Sequence, residues 1–364
     1  MVSLLVTILC IASLVHPSVS LVECCDDDAS SDQTEYPAEE IPDKVTALKC
    51  AYLADFAYED FNEVQEKINS MSTKFNFHHL KVEIDLNGVT GDADTQGFVA
   101  IDKTDCETFI VFRGTESQQD IKNDANIFEP FVTLGEFGMD DYASFLSGFN
   151  TALMAVYDNK VKPAVVEALR KGMKVYFVGH SLGGILAAMA AIRTYHEKYA
   201  NTKYADSLYV YVYGCPRAIG NWKFYDDYNK IKAHSYNFKI NNDPVTKCQL
   251  RLGHKAPDKV YNLGGEVDSC TLDAHKMSSY IAKLKALFSD ESNIPARGPT
   301  IAPANCKREE QVGCSKTYTS WCWIRCNPDD NSDWCWTKSL GHSCSYTLCK
   351  DIQDSLSCGE YTCS

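Results

Sequence analysis

The segment Val178–Gly184 has the residue types and spacing of a serine nucleophile. Ser181 stands between Gly179 and Gly183 in the pattern Gly-x-Ser-x-Gly, with an apolar run before it and an alanine-rich run after it. A sharp turn from strand to helix strains the serine backbone and leaves its hydroxyl exposed at the amino end of the helix. The glycines let strand and helix approach closely, and the helix dipole favours developing negative charge. The pattern predicts that Ser181 is a catalytic nucleophile.

A serine hydroxyl is a weak nucleophile until a base, itself oriented by an acid, removes its proton. In this strand–turn–helix arrangement the acid and then the histidine follow the serine along the chain, so only residues after Ser181 qualify. Asp243 qualifies as the acid because it follows an apolar strand, at the sheet edge where such folds present their sites. The remaining candidates for the acid and the base are Asp268, Asp273, His254, His275 and His342. The side chain of His180, next to the nucleophile, is expected to point elsewhere.

Four sequence blocks, in the family's order, resemble the fungal-type (class 3) lipase family of the α/β-hydrolase superfamily. The blocks are Ile110–Thr115, Val178–Gly184, Tyr213–Arg217 with Gly220-Asn221, and Asn242–Val245. Together they are far more specific than any one block. The resemblance runs from about residue 45 to residue 285, and it does not cover the acidic N-terminal region or the cysteine-rich C-terminal region.

The resemblance implies that Asp243 is the catalytic acid and His275 the base. His254 matches a non-catalytic histidine of the family. The sequence departs from the family pattern at two places: Ala274 separates His275 from the preceding aspartate, and Tyr280 comes later than in the family.

The developing oxyanion needs two or more hydrogen-bond donors. The backbone N–H of Leu182, directly after the nucleophile, fits one of these positions, and the resemblance implies that Thr115 supplies the other. The implied reaction is hydrolysis of a carboxylic ester through an acyl-enzyme, with His275 carrying the proton from Ser181 to the leaving alcohol. This chemistry uses no metal and no cofactor, so none is expected.

Residues 118–147 carry many apolar side chains among glycines and acids, and the family places its mobile lid at the start of this stretch. Such a flap exposes apolar surface at a lipid interface, whereas an ordinary packed loop is the other interpretation. We expect an acyl-lipid ester as the substrate and transient contact with a membrane or emulsion surface. The expected activity is of the triacylglycerol lipase type; mono- and diacylglycerols, phospholipid sn-1 esters (phospholipase A1 activity) and feruloyl or acetyl esters are the alternatives. A catalytically silent lipid- or surface-binding protein is the alternative from another class.

Strand-like and helix-like segments alternate through the middle of the chain. The strand-like runs are 108–112, 175–178, 208–213 and 236–240. The helix-like segments are one starting near Asp43, 151–171, 183–198, about 222–231, and 276–288. This alternation predicts a mainly parallel central sheet flanked by helices. Together with the resemblance, it indicates an α/β-hydrolase fold.

Five segments are predicted along the chain. Residues 1–20 are read as a signal peptide, because their apolar stretch is too short for a membrane span, and 21–45 as an acidic N-terminal arm. The α/β-hydrolase domain covers 46–290, and a proline-rich linker covers 291–305. Residues 306–364 form a small module with few aliphatic side chains, which disulfides must hold together. A zinc site at Cys322 and Cys326 is the less favoured reading of its cysteines.

Cysteine content and net charge restrict the cellular setting. The chain has 17 cysteines, and removal of the signal peptide leaves an even number, which favours an oxidising, extracellular location. Seven of these lie before the linker and nine after it, so either a disulfide joins the two regions or each keeps a free thiol. Cys215 is the candidate for a buried free thiol. The net charge of −14 makes nucleic acid an unfavourable partner, and the sequence does not set the oligomeric state.

Overall fold

The computed structural model describes residues 35–71, 77–90, 93–114, 131–133, 144–199, 203–217, 224, 228, 230–231, 234–247, 259–265 and 271–288, and three strands between 312 and 337. The predicted signal peptide, the predicted linker and most of the predicted lid segment lie outside these ranges. Among the described residues, no helix combines the length and the apolar character that a membrane crossing requires.

The described strands are β1 (Glu35–Pro37), β2 (Leu80–Asp85), β3 (Gly88–Thr90), β4 (Ala93–Thr95), β5 (Gly97–Asp102), β6 (Glu107–Phe112), β7 (Phe131–Thr133), β8 (Ser144–Leu146), β9 (Lys174–His180), β10 (Leu208–Tyr213), β11 (Ser235–Lys239), β12 (Val260–Asn262), β13 (Val312–Cys314), β14 (Cys322–Arg325) and β15 (Trp334–Thr337). The described helices are α1 (Lys44–Phe56), α2 (Phe61–Ser70), α3 (Ser147–Val156), α4 (Lys162–Arg170), α5 (Leu182–Thr194), α6 (Leu272–His275) and α7 (Met277–Lys285).

Eight strands form one mixed sheet in the order β1-β12-β11-β10-β9-β6-β5-β2. The pairs from β6 to β1 are parallel, whereas β2, β5 and β6 pair antiparallel. Four of the strands, β6, β9, β10 and β11, coincide with the four predicted apolar runs. The mainly parallel sheet flanked by helices is therefore confirmed. Because the parallel strands share a direction, the residues that follow β6, β9, β10 and β11 all meet at one edge of the sheet.

Alternating side chains along the central strands build a separate apolar core on each face of the sheet. In β6, Ile110 and Phe112 face one core, with α3, α4 and α5. Phe109 and Val111 face the other, with α1, α7 and the tyrosines of β10. On this second face Lys49 of α1 forms a buried ion pair with Glu107, at 2.7 Å between Nζ and Oε2. The sheet thus holds α5 and α7 on opposite sides of the same central strands.

The helix predicted for 151–171 is interrupted in the structure. Helix α3 ends at Val156, a π-helical segment covers Tyr157–Val161, and α4 begins at Lys162. Pro163 lies in the first turn of α4, where backbone N–H groups have no acceptor within the helix. The N–H that proline lacks therefore breaks no helical hydrogen bond. The helix predicted from Asp43 does begin there, because the Asp43 carboxylate accepts a hydrogen bond from the Thr46 backbone N–H at 2.9 Å.

The last part of the predicted acidic arm belongs to the central sheet. Strand β1 pairs in parallel with β12, with Glu35 opposite Val260 and Pro37 opposite Asn262. Glu35 also contacts the side chains of Lys239 and Asn262. The folded domain therefore starts by residue 35, ahead of the boundary at 46 that composition suggested, because backbone pairing overrides the acidic character of this segment.

Near the C-terminus, β13, β14 and β15 form an antiparallel three-stranded sheet. Trp323 lies opposite Trp336 in the β14–β15 register, so these two tryptophans occupy paired positions on neighbouring strands. Around the central sheet, Cys50 and Cys215 are free and buried, which confirms the expected buried thiol at Cys215. Cys106 is disulfide-bonded.

Candidate active site

Ser181 occupies a sharp turn between strand β9 and helix α5. Its backbone has φ 56° and ψ −129°, a strained conformation for a residue with a side chain. The Ser181 backbone N–H donates to the Tyr213 carbonyl of the neighbouring strand at 2.9 Å, which fixes the turn to the sheet. A Cβ atom at Gly179 would lie 2.2 Å from the Gly183 carbonyl oxygen, so the strand and the helix can approach this closely only at a glycine.

The structure brings Ser181, His275 and Asp243 together, although they lie far apart in the sequence. His275 Nε2 lies 2.9 Å from Ser181 Oγ, and His275 Nδ1 lies 2.9 Å from Asp243 Oδ2. A serine hydroxyl, an imidazole and a carboxylate in this order can move a proton away from the serine oxygen. The geometry is that of a nucleophile, a base and an orienting acid.

Asp243 is fully buried at the loop that follows β11. Its Oδ1 accepts a hydrogen bond from the Val245 backbone N–H at 2.9 Å, and its Oδ2 accepts one from the Tyr280 hydroxyl at 2.6 Å. Burial, followed by the nearby Asp243 carboxylate, raises the pKa of Tyr280 well above its ordinary value, so the phenol remains a donor. These bonds hold the carboxylate facing His275. The contact between Tyr280 and Asp243 was not evident from the sequence, which marked Tyr280 only as displaced from the family pattern.

Among the rival candidates, the structure describes only Asp273, which lies outside this cluster. The Asp273 side chain is 84% exposed and pairs with Lys276 Nζ at 2.6 Å. The other rivals, Asp268, His254 and His342, lie outside the described residues.

His180 and Tyr58 lie directly behind His275. His180 Nε2 lies 2.7 Å from the His275 carbonyl oxygen, and its ring centroid is 4.5 Å from that of His275. His180 Nδ1 lies 2.7 Å from Tyr58 Oη. The two ring nitrogens of His180 contact Tyr58 and the His275 backbone rather than Ser181 Oγ, in agreement with the expectation that this side chain points elsewhere. No feature of the sequence predicted that Tyr58 would contact His180.

The amino end of α5 and the end of β6 meet at Ser181. Leu182 is the first residue of α5, where a backbone N–H has no acceptor within the helix. A Cβ atom at Gly114, after β6, would lie 3.0 Å from Ser181 Cβ. The chain segment that leads into Thr115 therefore lies against the serine, while Thr115 itself is outside the described residues.

Ser181 is fully buried and His275 is 6% exposed, so the cluster is closed to solvent in this conformation. Burial keeps water away from the hydrogen bonds and strengthens the electrostatic interactions within the cluster. Within the described ranges, no group of three or more His, Cys, Asp or Glu side chains is placed to hold a metal ion.

Comparison with known proteins relates this site to a family. The chain matches the family "Lipase (class 3)" over residues 109–252, which include Ser181 and Asp243. It is 30% identical over 158 residues to a secreted mono- and diacylglycerol lipase A of Penicillium cyclopium, which is 43% of this chain and 48% of that protein. It is 26% identical over 226 residues to the lipase ZK262.3 of Caenorhabditis elegans, which is 60% of this chain and 58% of that protein. The chain thus spans about half the length of these relatives.

Two solved structures that match part of this chain are named as lipases. Lip2 lipase of Yarrowia lipolytica is 18% identical with a TM-score of 0.47, covering 60% of this chain and 78% of that one. Lipase II of Rhizopus niveus is 19% identical with a TM-score of 0.48, covering 64% of this chain and 87% of that one. The family match over residues 109–252 confirms the resemblance that the sequence blocks predicted: this segment is similar to the class 3 lipases.

Proposed function

We propose that this protein is a secreted serine hydrolase that cleaves carboxylic esters of acyl lipids. The observation that carries the proposal is the unbroken line of contacts from Ser181 Oγ through both ring nitrogens of His275 to Asp243, each at 2.9 Å. The match of residues 109–252 to the class 3 lipase family supports the same conclusion. The predicted signal peptide and the cysteine content support secretion.

In the proposed reaction, His275 Nε2 takes the hydroxyl proton while Ser181 Oγ attacks the ester carbonyl carbon. The carbonyl oxygen becomes an oxyanion that accepts hydrogen bonds from the backbone N–H groups of Leu182 and Thr115. The tetrahedral intermediate collapses, the bond to the leaving alcohol breaks, and His275 gives its proton to that alcohol. Water then attacks the acyl-Ser181 ester by the same route and releases the fatty acid. Asp243 stabilises the imidazolium in both steps.

The closed state of the site favours a substrate that meets the protein at an interface. Ser181 is fully buried, so an ester reaches its oxygen only after a neighbouring segment moves. We propose that the predicted lid within residues 118–147 makes this movement and binds a membrane or an emulsion surface through its apolar side chains. Among acyl lipids we favour mono- and diacylglycerols, because the Penicillium relative is named for them.

The test is hydrolysis of a soluble short-chain ester, p-nitrophenyl butyrate, and of emulsified mono-, di- and triacylglycerols, phospholipid and methyl ferulate. The proposal expects turnover of the short-chain ester and a steep rise of acylglycerol hydrolysis above the concentration at which the lipid forms an interface. Ser181→Ala should abolish both. A higher rate on phospholipid or methyl ferulate would reassign the substrate class, and lipid binding without any turnover would identify a silent binding protein.

A further inference from the structure

His180 is a buried histidine with both ring nitrogens engaged, yet the proposed chemistry does not use it. Only 5% of the residue is exposed. Its Nε2 faces the His275 carbonyl oxygen at 2.7 Å, and a carbonyl can only accept, so Nε2 carries the hydrogen. In the neutral ring Nδ1 is then an acceptor, and the Tyr58 hydroxyl, 2.7 Å away, donates to it. Burial lowers the pKa of His180 well below its ordinary value, which agrees with a neutral ring.

The His275 carbonyl lies at a junction where the backbone changes direction. Helix α6 ends at His275, and α7 starts two residues later at Met277. The backbone N–H groups of Ser279 and Tyr280 both donate to the Lys276 carbonyl rather than to His275. The hydrogen bond from His180 therefore holds the His275 backbone at a point that the helices themselves do not fix.

His180 also restrains the His275 ring by direct contact. The two ring centroids are 4.5 Å apart with an angle of 35° between the ring planes. Asp243 orients His275 through Nδ1, whereas His180 packs against the ring itself. Together they define the direction in which Nε2 points at Ser181 Oγ.

Tyr58 connects this arrangement to the end of strand β6. The Arg113 guanidinium lies 5.9 Å from the centroid of the Tyr58 ring. A Cβ atom at Gly114 would lie 2.5 Å from Tyr58 Oη, so this hydroxyl packs directly against the backbone that leads into Thr115. One hydroxyl group thus touches both the support of the base and the strand end that precedes the proposed oxyanion donor.

We propose that Tyr58 and His180 act as a positioning pair, in which Tyr58 fixes the tautomer and orientation of His180, and His180 fixes the backbone and ring of His275. The inference rests on the proposed function, because it assigns a role in orienting the base of that same site. Neither residue touches the reacting atoms. Their effect is geometric, and a displacement of a reacting group by about 1 Å can cost about 100-fold in rate.

The test compares the variants His180→Ala, His180→Gln, Tyr58→Phe and the double variant Tyr58→Phe/His180→Ala on p-nitrophenyl butyrate. The proposal expects His180→Ala to lower kcat by about 10- to 100-fold, with little change of KM. His180→Gln should recover part of the loss, because its amide can donate to the His275 carbonyl. The double variant should be no slower than His180→Ala, since the proposed effect of Tyr58 on His275 passes through His180.

Tyr209 and His234 form a matched control pair. Their rings are also in contact, at 4.7 Å, but they lie at the amino-terminal end of β10 and just before β11, on the sheet edge opposite Ser181. Tyr209→Phe and His234→Ala should leave kcat within about twofold of the wild type. A folded His180→Ala protein with wild-type kcat, or independent multiplicative losses from Tyr58 and His180, would overturn the inference.

The rate of labelling by a fluorophosphonate separates this inference from the proposed function. Failure of the wild-type protein to react at Ser181 would contradict the proposed function itself. Labelling of the wild type together with an equal labelling rate in the folded His180→Ala variant would refute only the positioning role.

Discussion

Tyr280 donates its hydroxyl hydrogen to Asp243 Oδ2 at 2.6 Å, and this same carboxylate oxygen lies 2.9 Å from His275 Nδ1. Two donors therefore converge on one oxygen, while the Val245 backbone N–H binds the other at 2.9 Å. A buried carboxylate with three such contacts is held in one orientation. Tyr280 is thus part of the structure that makes Asp243 a partner for His275.

Removal of this hydroxyl should weaken the site without dismantling it. Because hydrogen bonds to charged groups contribute about 1.5–3 kcal/mol, we expect Tyr280→Phe to lower kcat on p-nitrophenyl butyrate by about tenfold. The measurement is steady-state kinetics, with Tyr209→Phe as the control for loss of a remote hydroxyl. A Tyr280→Phe protein with unchanged kcat would show that Asp243 is oriented without this bond.

The assignment of the base is tested by comparing histidines. His275→Ala should reduce kcat by about 10⁴-fold or more, because it removes the group that accepts the serine proton. His254→Ala should have a much milder effect, since His254 matches a non-catalytic histidine of the family. The comparison uses one soluble ester and checks folding by circular dichroism. The reverse ranking would assign the base to His254.

Gly214 lies where the site tolerates no side chain. Its φ is +58°, and a Cβ atom there would lie 3.0 Å from the His275 ring and 3.1 Å from Asp243 Oδ2. We expect Gly214→Ala to cost about 1–2 kcal/mol of stability from the strained backbone. It should also lower kcat by about tenfold or more, because the new methyl group displaces the imidazole. Urea unfolding and ester kinetics measure the two effects, and loss of stability with full activity would contradict the expected displacement.

The buried neutral His180 predicts a dependence of stability on pH. Burial lowers the pKa of His180 in the folded protein, whereas in the unfolded chain this pKa is about 6.5. Below about pH 6.5 the unfolded chain therefore binds a proton that the folded protein does not bind. The free energy of unfolding should fall with decreasing pH, by up to about 1.4 kcal/mol per pH unit from this residue.

This contribution can be isolated by urea unfolding of the wild type and of His180→Gln at a series of pH values from about 7.5 to about 5. Glutamine does not titrate, so the variant lacks the proton-binding group. The difference between the two free energies of unfolding should be constant above about pH 6.5. Below that pH, the wild type should lose stability relative to His180→Gln. A difference that stays constant over the whole range would show that His180 binds its proton equally well in both states.

The elements around Ser181 were predictable because their signals are local. The apolar runs of β6, β9, β10 and β11, the glycines around Ser181 and the cap at Asp43 each lie within a few consecutive residues. The choice of His275 among three histidines required the family resemblance, since no local sequence pattern marks one of them as the partner of Ser181. The structure then places its Nε2 at 2.9 Å from Ser181 Oγ.

The contacts of His180 with Tyr58 and with His275 could not be predicted from the sequence. Tyr58 and His180 are 122 positions apart and meet only because α1 and β9 pack on one another. Strand β1 was hidden for a different reason: its acidic composition indicates a solvated arm, while its pairing with β12 depends on backbone hydrogen bonds that composition does not encode. Long-range packing therefore decides the features that local patterns leave open.

The proposal that Ser181 is the nucleophile is tested most directly by identifying the residue that a fluorophosphonate labels. We expect Ser181 Oγ to displace fluoride and form a phosphonate ester, so that peptide mass spectrometry finds one adduct, on Ser181. Ser181→Ala should carry no adduct and should not hydrolyse p-nitrophenyl butyrate. An adduct on another residue, or ester hydrolysis that survives in Ser181→Ala, would contradict the claim that this serine is the nucleophile.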